Sequence, residues 1–135
     1  MNPGKSVFVI DDDPIYILLL RRQLEKIGAF ASIAAFQDAY EAMEAIRAAL
    51  PTQEGLPDVI LLDVNMPGMD GWDFLDEFAG LESEIAHPIG IYVCSFAETE
   101  AERARASTYA SVMGYVQKPI PQDVVNLIAA SASYF

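Results

Sequence analysis

Pro57-Asp58-Val59-Ile60-Leu61-Leu62-Asp63-Val64-Asn65-Met66-Pro67-Gly68-Met69-Asp70-Gly71 is the stretch on which the fold turns. Val59–Leu62 is an unbroken apolar run, the pattern of a strand buried on both faces. It stops at Asp63, and Pro67, Gly68 and Gly71 punctuate the loop that follows. Phe74, Leu75 and Phe78 then predict a short helix.

The same alternation extends in both directions. Val7–Ile10 is a second apolar run, ending in Asp11-Asp12-Asp13, with Pro14 placed to open a helix. Asp13 has the chemistry of the N-cap. Ile15, Leu18, Leu19 and Ile27 recur at helical spacing and predict the buried face, with Arg21, Arg22 and Lys26 opposite and Gly28 as the stop. Phe30–Phe36 reads as an Ala-rich second strand. Tyr40, Met43, Ile46 and Leu50 mark a helix closed by Pro51. Beyond the central stretch, Ile89–Cys94 predicts a fourth strand and Thr99–Ala110 a helix. Tyr115–Gln117 predicts a fifth strand. Val124, Val125 and Ile128 lie on a last helix that runs nearly to Phe135. Five strands alternating with five helices imply parallel βαβ units in a three-layer α/β/α sandwich.

Composition narrows the function. The 135 residues suit one domain of about 100–150 residues. Eight Lys and Arg against 20 Asp and Glu give a net charge of −12, which disfavours binding to phosphate backbones or anionic membranes. The 53% hydrophobic content excludes disorder. Apolar runs such as Ile15–Leu20 are too short to span a bilayer. Met1–Ser6 does not read as a secretory signal. A single cysteine, Cys94, fits a reducing cytoplasm, and with one histidine it excludes a His/Cys zinc site. His87, beside Pro88, reads as a loop residue. Trp72 reads as a partly exposed helix residue without chemistry.

In open parallel sheets, ligands bind beyond the carboxyl ends of the strands. Those ends carry Asp11-Asp12-Asp13, Asp63, Ser95 and Lys118-Pro119. Carboxylates converging on one edge repel one another, and a hard divalent cation with oxygen ligands relieves the repulsion. Mg²⁺ is the natural candidate. Asp11, Asp12 and Asp63 are balanced by Lys118 and Mg²⁺, so the cluster can accept a phosphoryl group on Asp63 as nucleophile. The Ser95 hydroxyl can donate a hydrogen bond to the product.

These residues carry a family resemblance. Val7-Phe8-Val9-Ile10-Asp11-Asp12-Asp13-Pro14, the stretch 57–71 and Gly114-Tyr115-Val116-Gln117-Lys118-Pro119 together resemble the receiver domain of bacterial two-component response regulators. The resemblance covers essentially the whole chain. It implies a flavodoxin-like sheet of order 2-1-3-4-5 and a single receiver domain over 1–135 with no output domain. It also implies a signalling phosphoacceptor rather than a turnover enzyme. Asp63 matches the phosphoacceptor and Asp12 a direct Mg²⁺ ligand. Asp11 would act on the metal through water, and Asn65 would contribute its backbone carbonyl. Ser95 and Tyr115 match the switch pair, and Lys118 the lysine that contacts the phosphoryl group, before a cis peptide to Pro119.

The implied donor is a sensor histidine kinase or a phosphotransfer protein. The implied output is protein binding, and a homodimer would use the face of helix four, strand five and helix five. Three departures stand out. Phe96 follows the switch serine where the family has a small residue, and a ring there narrows access to the phosphoryl group. Ala97 offers no polar help to an attacking water. Ser111-Val112 replaces the usual Gly-Ala pair, which puts a left-handed turn in question. The alternative reading is a phosphorylation-independent receiver-like interaction module, which Phe96 favours. A phosphohydrolase with an aspartate nucleophile would need an acid where Asn65 stands.

Overall fold

The computed structural model describes residues 5–97 and 99–135. The sequence reading of the extreme N-terminus falls largely on residues 1–4, outside the described residues. The elements are β1 (Lys5–Ile10), α1 (Pro14–Ile27), β2 (Phe30–Phe36), α2 (Ala39–Ala49), β3 (Val59–Asp63), α3 (Gly71–Leu81), β4 (Gly90–Ser95), α4 (Glu100–Ala106), β5 (Val112–Gln117) and α5 (Gln122–Ala129). A short 3₁₀ turn, Glu82–Glu84, follows α3. All strands pair in parallel, in the order β2-β1-β3-β4-β5.

Central strand β3 is buried at every position, as its unbroken apolar run requires. Its alternate side chains feed two cores. Ile60 and Leu62 pack with α2, α3 and the inner side of β5. Val59 and Leu61 pack with α1 and α5. The strand register positions the site. Ile10 pairs with Leu62, so Asp11 and Asp63 leave the sheet side by side.

The start of α1 is capped as the sequence predicts. Asp13 accepts from the Ile15 and Tyr16 amides, with Pro14 at the first helical position. Asp70 and Asp73 form a reciprocal capping box at the start of α3.

Five expectations are corrected. On α1 the buried face is Tyr16, Ile17, Leu20 and Leu24, whereas Ile15, Leu18 and Leu19 are 69%, 48% and 54% exposed. Ile15–Leu20 is apolar on every side, so periodicity could not choose the face. The sheet takes the 16/20/24 stripe. Tyr40 on α2 is likewise exposed. Helix α4 ends at Ala106, four residues early, because the Ser107 and Thr108 hydroxyls turn back onto the Ala104 and Arg105 carbonyls. Trp72 is buried, stacked near Tyr109 with the Arg105 guanidinium 4.4 Å over its ring.

The fifth correction is at the C-terminus. Helix α5 ends at Ala129, and Ser131 takes a left-handed φ of 59°. The Ser131 and Ala132 amides donate to Ile128 and Leu127, a Schellman closure. The chain then runs along the β5 edge. The Tyr134 amide donates to Met113, the Tyr115 amide donates to Tyr134, and the Tyr92 hydroxyl donates to Ala132. Gly114 permits this approach, since a Cβ there would lie 2.3 Å from the Tyr134 carbonyl oxygen. Ser111 does not need the left-handed conformation, so the turn before β5 works without glycine. Gly114→Ala is expected to lift the 132–135 segment off β5, at a cost of about 1–3 kcal/mol. Denaturant titration reads the cost. Loss of exchange protection at the Tyr115 and Tyr134 amides reads the displacement.

Candidate phosphoacceptor site

Asp11, Asp12 and Asp63 offer carboxylate oxygens that lie within 4.8 Å of one another at the carboxyl ends of β1 and β3. Asp11 and Asp63 are buried, and Asp12 is exposed at the rim. Asp11 Oδ1 accepts from the Asp13 amide, 2.9 Å away, which folds the β1–α1 corner around it. Asp63 Oδ1 accepts from the Asn65 amide at 3.0 Å. Gly71 lets α3 press on this strand end: a Cβ there would sit 2.6 Å from the Asp63 carbonyl oxygen.

Lys118 enters from β5. Ser95 pairs with Gln117, and the Lys118 amide donates to the Ser95 carbonyl, so the two residues leave neighbouring strands together. The Lys118–Pro119 peptide is cis. The Lys118 ammonium lies 2.8 Å from Asp11 Oδ2 and 3.4 Å from Asp63 Oδ2, and it is buried. Burial alone would lower its pKa. The hydrogen bond and charge of Asp11, with the charge of Asp63, outweigh that and raise it above the ordinary lysine value. Burial pushes the Asp63 carboxyl upward, against the Asn65 amide and Lys118 that favour its charge. The Asp11 carboxylate adds to the rise.

Ser95 is fully buried, but its hydroxyl does not reach Asp63. It donates to the Ala97 carbonyl at 2.9 Å and accepts from the Ala97 amide, with the Asn65 side-chain amide at 3.5 Å. Tyr115 is also buried, and its hydroxyl shares its proton between that same Ala97 carbonyl and Glu102 of α4. It accepts from the Thr99 amide. One carbonyl therefore joins Ser95, Tyr115 and α4. Sequence reading named Ser95 and Tyr115 but missed Glu102 and the Ala97 carbonyl, because the link depends on the β4–β5 register.

Tyr16 was missed as a site residue too. Its ring lies 4.7 Å from the Lys118 ammonium, one helical turn beyond the aspartates. His87 lies at the far end of the sheet, its Nε2 3.1 Å from the Pro57 carbonyl.

The three carboxylates form an all-oxygen donor set of the kind that suits Mg²⁺, so the residues fit the ion. Comparisons with known proteins give the family. The response regulator receiver domain family model matches residues 7–130, and the chain belongs to this family. A two-component response regulator of Arabidopsis thaliana is 30% identical over 125 residues, 93% of this chain and 22% of its own length. A protein-glutamate methylesterase/protein-glutamine glutaminase of Cereibacter sphaeroides is 37% identical over 93 residues, 69% of this chain and again 22% of its own length. The chain thus spans about a fifth of these relatives.

Among solved structures, a two-component response regulator from Cytophaga hutchinsonii superposes with a TM-score of 0.87 at 23% identity, covering 96% and 97% of the two chains. A Vibrio cholerae chemotaxis protein superposes at 0.77 and 19% identity, covering 96% and 98%. These two show the fold.

The raised Asp63 pKa sets a stability test. A carboxyl whose folded pKa lies above its unfolded value contributes most below the unfolded pKa and loses that contribution as pH rises through the folded one. In metal-free buffer, Asp63→Asn is therefore expected to melt higher than wild type at pH 7. Thermal melts with EDTA should show the difference shrinking as pH falls below the ordinary carboxylate value.

Proposed function

We propose that this chain is a Mg²⁺-assisted phosphoacceptor that takes a phosphoryl group onto Asp63 from a histidine kinase or histidine phosphotransfer protein. The reading rests on one observation: three carboxylates within 4.8 Å of one another, with the Lys118 ammonium 3.4 Å from Asp63. A carboxylate oxygen of Asp63 attacks phosphorus, the P–N bond to the donor imidazole breaks, and its electron pair returns to the ring nitrogen. Lys118 is placed to hold a phosphoryl oxygen while Asp11 keeps the ammonium in position. Asp12 and Asp63 would hold the ion directly, with Asp11 through water and the Asn65 carbonyl completing the shell. The bound ion supplies charge neutralisation for the incoming phosphoryl oxygens.

The product adds charge beside Ser95. Turning the Ser95 hydroxyl toward it removes one of the donors on the Ala97 carbonyl and frees Tyr115 and α4 to rearrange. In this reading residues 1–135 act as one cytoplasmic receiver domain, and the readout is a protein that senses the α4–β5–α5 face. A homodimer through that face would have to accommodate the 132–135 segment on the β5 edge.

Intact mass after incubation with acetyl phosphate and Mg²⁺ tests the acceptor. Wild type is expected to gain one phosphoryl group and Asp63→Asn none. A phosphorylated Asp63→Asn protein overturns the assignment, and an unmodified wild type that also fails to bind Mg²⁺ supports the interaction-module reading.

The exposed Ile15, Leu18 and Leu19 stand on α1 beside the site and suit an apolar helical surface of a protein donor. Leu18→Asp is expected to slow transfer from a phosphohistidine protein by about tenfold, the effect of losing roughly 1.4 kcal/mol of contact. Its rate with acetyl phosphate should match wild type, and stopped-flow comparison of the two donors separates docking from chemistry.

A further inference from the structure

The Lys118 ammonium is enclosed by more than its carboxylates. The Tyr16 ring centroid lies 4.7 Å away and the Phe96 centroid 4.5 Å. The two rings meet edge-on, 6.4 Å apart at an interplanar angle of 64°. That separation is much shorter than the path through the nitrogen, so the rings cover adjacent sides of the ammonium. Asp11 and Asp63 take two further directions. Tyr16 is buried beneath α1, whereas Phe96 is 61% exposed. The ring on the solvent side thus belongs to the residue that directly follows Ser95.

We propose that Tyr16 and Phe96 form an aromatic corner that positions the Lys118 ammonium over Asp63, with Phe96 as its outer wall. A lysine stem has four rotatable carbons and an ammonium that prefers water. Left open on one side, the head group would hydrate and swing away from Asp63. Two π faces replace that water with a weaker but fixed attraction, of a kind worth more where water is excluded. Neither ring stands between Lys118 and Asp63, where a phosphoryl oxygen would arrive. Tyr16 and Phe96 are positioning residues, since each acts on Asp63 through the Lys118 ammonium. Phe96 then has a use that a bare obstruction would not have.

The inference rests on the phosphoacceptor reading for its consequence, but its geometry can be tested without it. Phe96 is exposed, so its variants are expected to fold. The experiment uses the full chain in three forms besides wild type: Phe96→Tyr, Phe96→Leu and Phe96→Ala. Ammonium-selective ¹H–¹⁵N spectra in EDTA, at low temperature, should show one lysine signal shifted upfield by ring currents and slowed in exchange. Phe96→Tyr should keep that signal. Phe96→Leu and Phe96→Ala should lose much of the shift.

With Mg²⁺ and saturating acetyl phosphate, the maximal phosphorylation rate should fall about three- to tenfold in Phe96→Leu, the size expected for loss of one partly exposed cation–π contact. Phe96→Tyr should restore it, and the Mg²⁺ midpoint should stay put in all forms. If Leu matches Tyr in both spectrum and rate, ring character is irrelevant and the proposal fails. A faster Phe96→Ala with an unchanged ammonium signal also overturns it, since Phe96 is then only an obstruction. If the ring-current signature is present and wild type takes up no phosphoryl group, the corner stands and the phosphoacceptor reading is what falls.

Discussion

Carboxylates at the ends of two adjacent parallel strands repel each other, and Lys118 is the buried cation that meets them among the described residues. Much of the local structure serves that meeting. The β1–β3 register sets Asp11 beside Asp63, and the β4–β5 register delivers Lys118 beside Ser95. A charge of either sign buried alone in this cleft would be costly, and breaking a buried pair typically costs about 3–5 kcal/mol. Asp11 and Lys118 therefore depend on each other. Asp63 carries the residual strain: it is buried, it faces a second carboxylate, and its lysine contact is the longer one. On the phosphoacceptor reading, that is the condition of a group whose charge would be used when a cation or phosphoryl group arrives.

The sheet was legible because its strands are short apolar runs that end in polar residues, a signal that buried parallel strands cannot avoid. Asp11, Asp12, Asp63, Ser95 and Lys118 were legible for the same reason, since each follows such a run. What was hidden depends on contacts across the chain. The six apolar residues Ile15–Leu20 carry no periodicity, so only the sheet could select Tyr16 over Ile15. The Tyr115–Ala97 contact spans 18 residues, and the Lys118–Tyr16 contact spans more than 100. No local pattern records either one. Composition overruns the end of α4, because Ala, Glu and Arg favour helix up to the point where Ser107 and Thr108 compete for its carbonyls.

The C-terminal segment shows the same limit from another direction. Ser131, Ala132 and Ser133 look like a fraying helix end by composition. Their hydrogen bonds instead reverse the chain and give β5 a partner at Gly114. An edge strand with open amides invites pairing with another chain. Here part of that edge is already filled, next to Tyr115, by residues of the same chain. The Tyr115 side chain faces Glu102 and Ala97 while its amide donates to Tyr134, so α4 and the C-terminal segment both bear on one residue.

That convergence constrains how a charge on Asp63 could be felt elsewhere. A ligand shifts an equilibrium only by its differential affinity for the two states. Ser95 begins with an ordinary hydrogen bond to Ala97, worth about 0.5–1.5 kcal/mol net. A bond to a phosphoryl oxygen is charge-assisted, about 1.5–3 kcal/mol. The difference, of the order of 1 kcal/mol, is the size of bias Ser95 alone can impose. The Tyr115 hydroxyl stays tied to the Glu102 carboxylate, itself a charged acceptor, so it opposes release. On the phosphoacceptor reading, Ser95 can tilt this network but not overturn it alone. The remaining drive must come from the phosphoryl group's charge acting on the Ala97 backbone, or from a partner that binds the rearranged α4. On that reading, the wiring favours an active state completed by a partner, rather than one fully switched before the partner arrives.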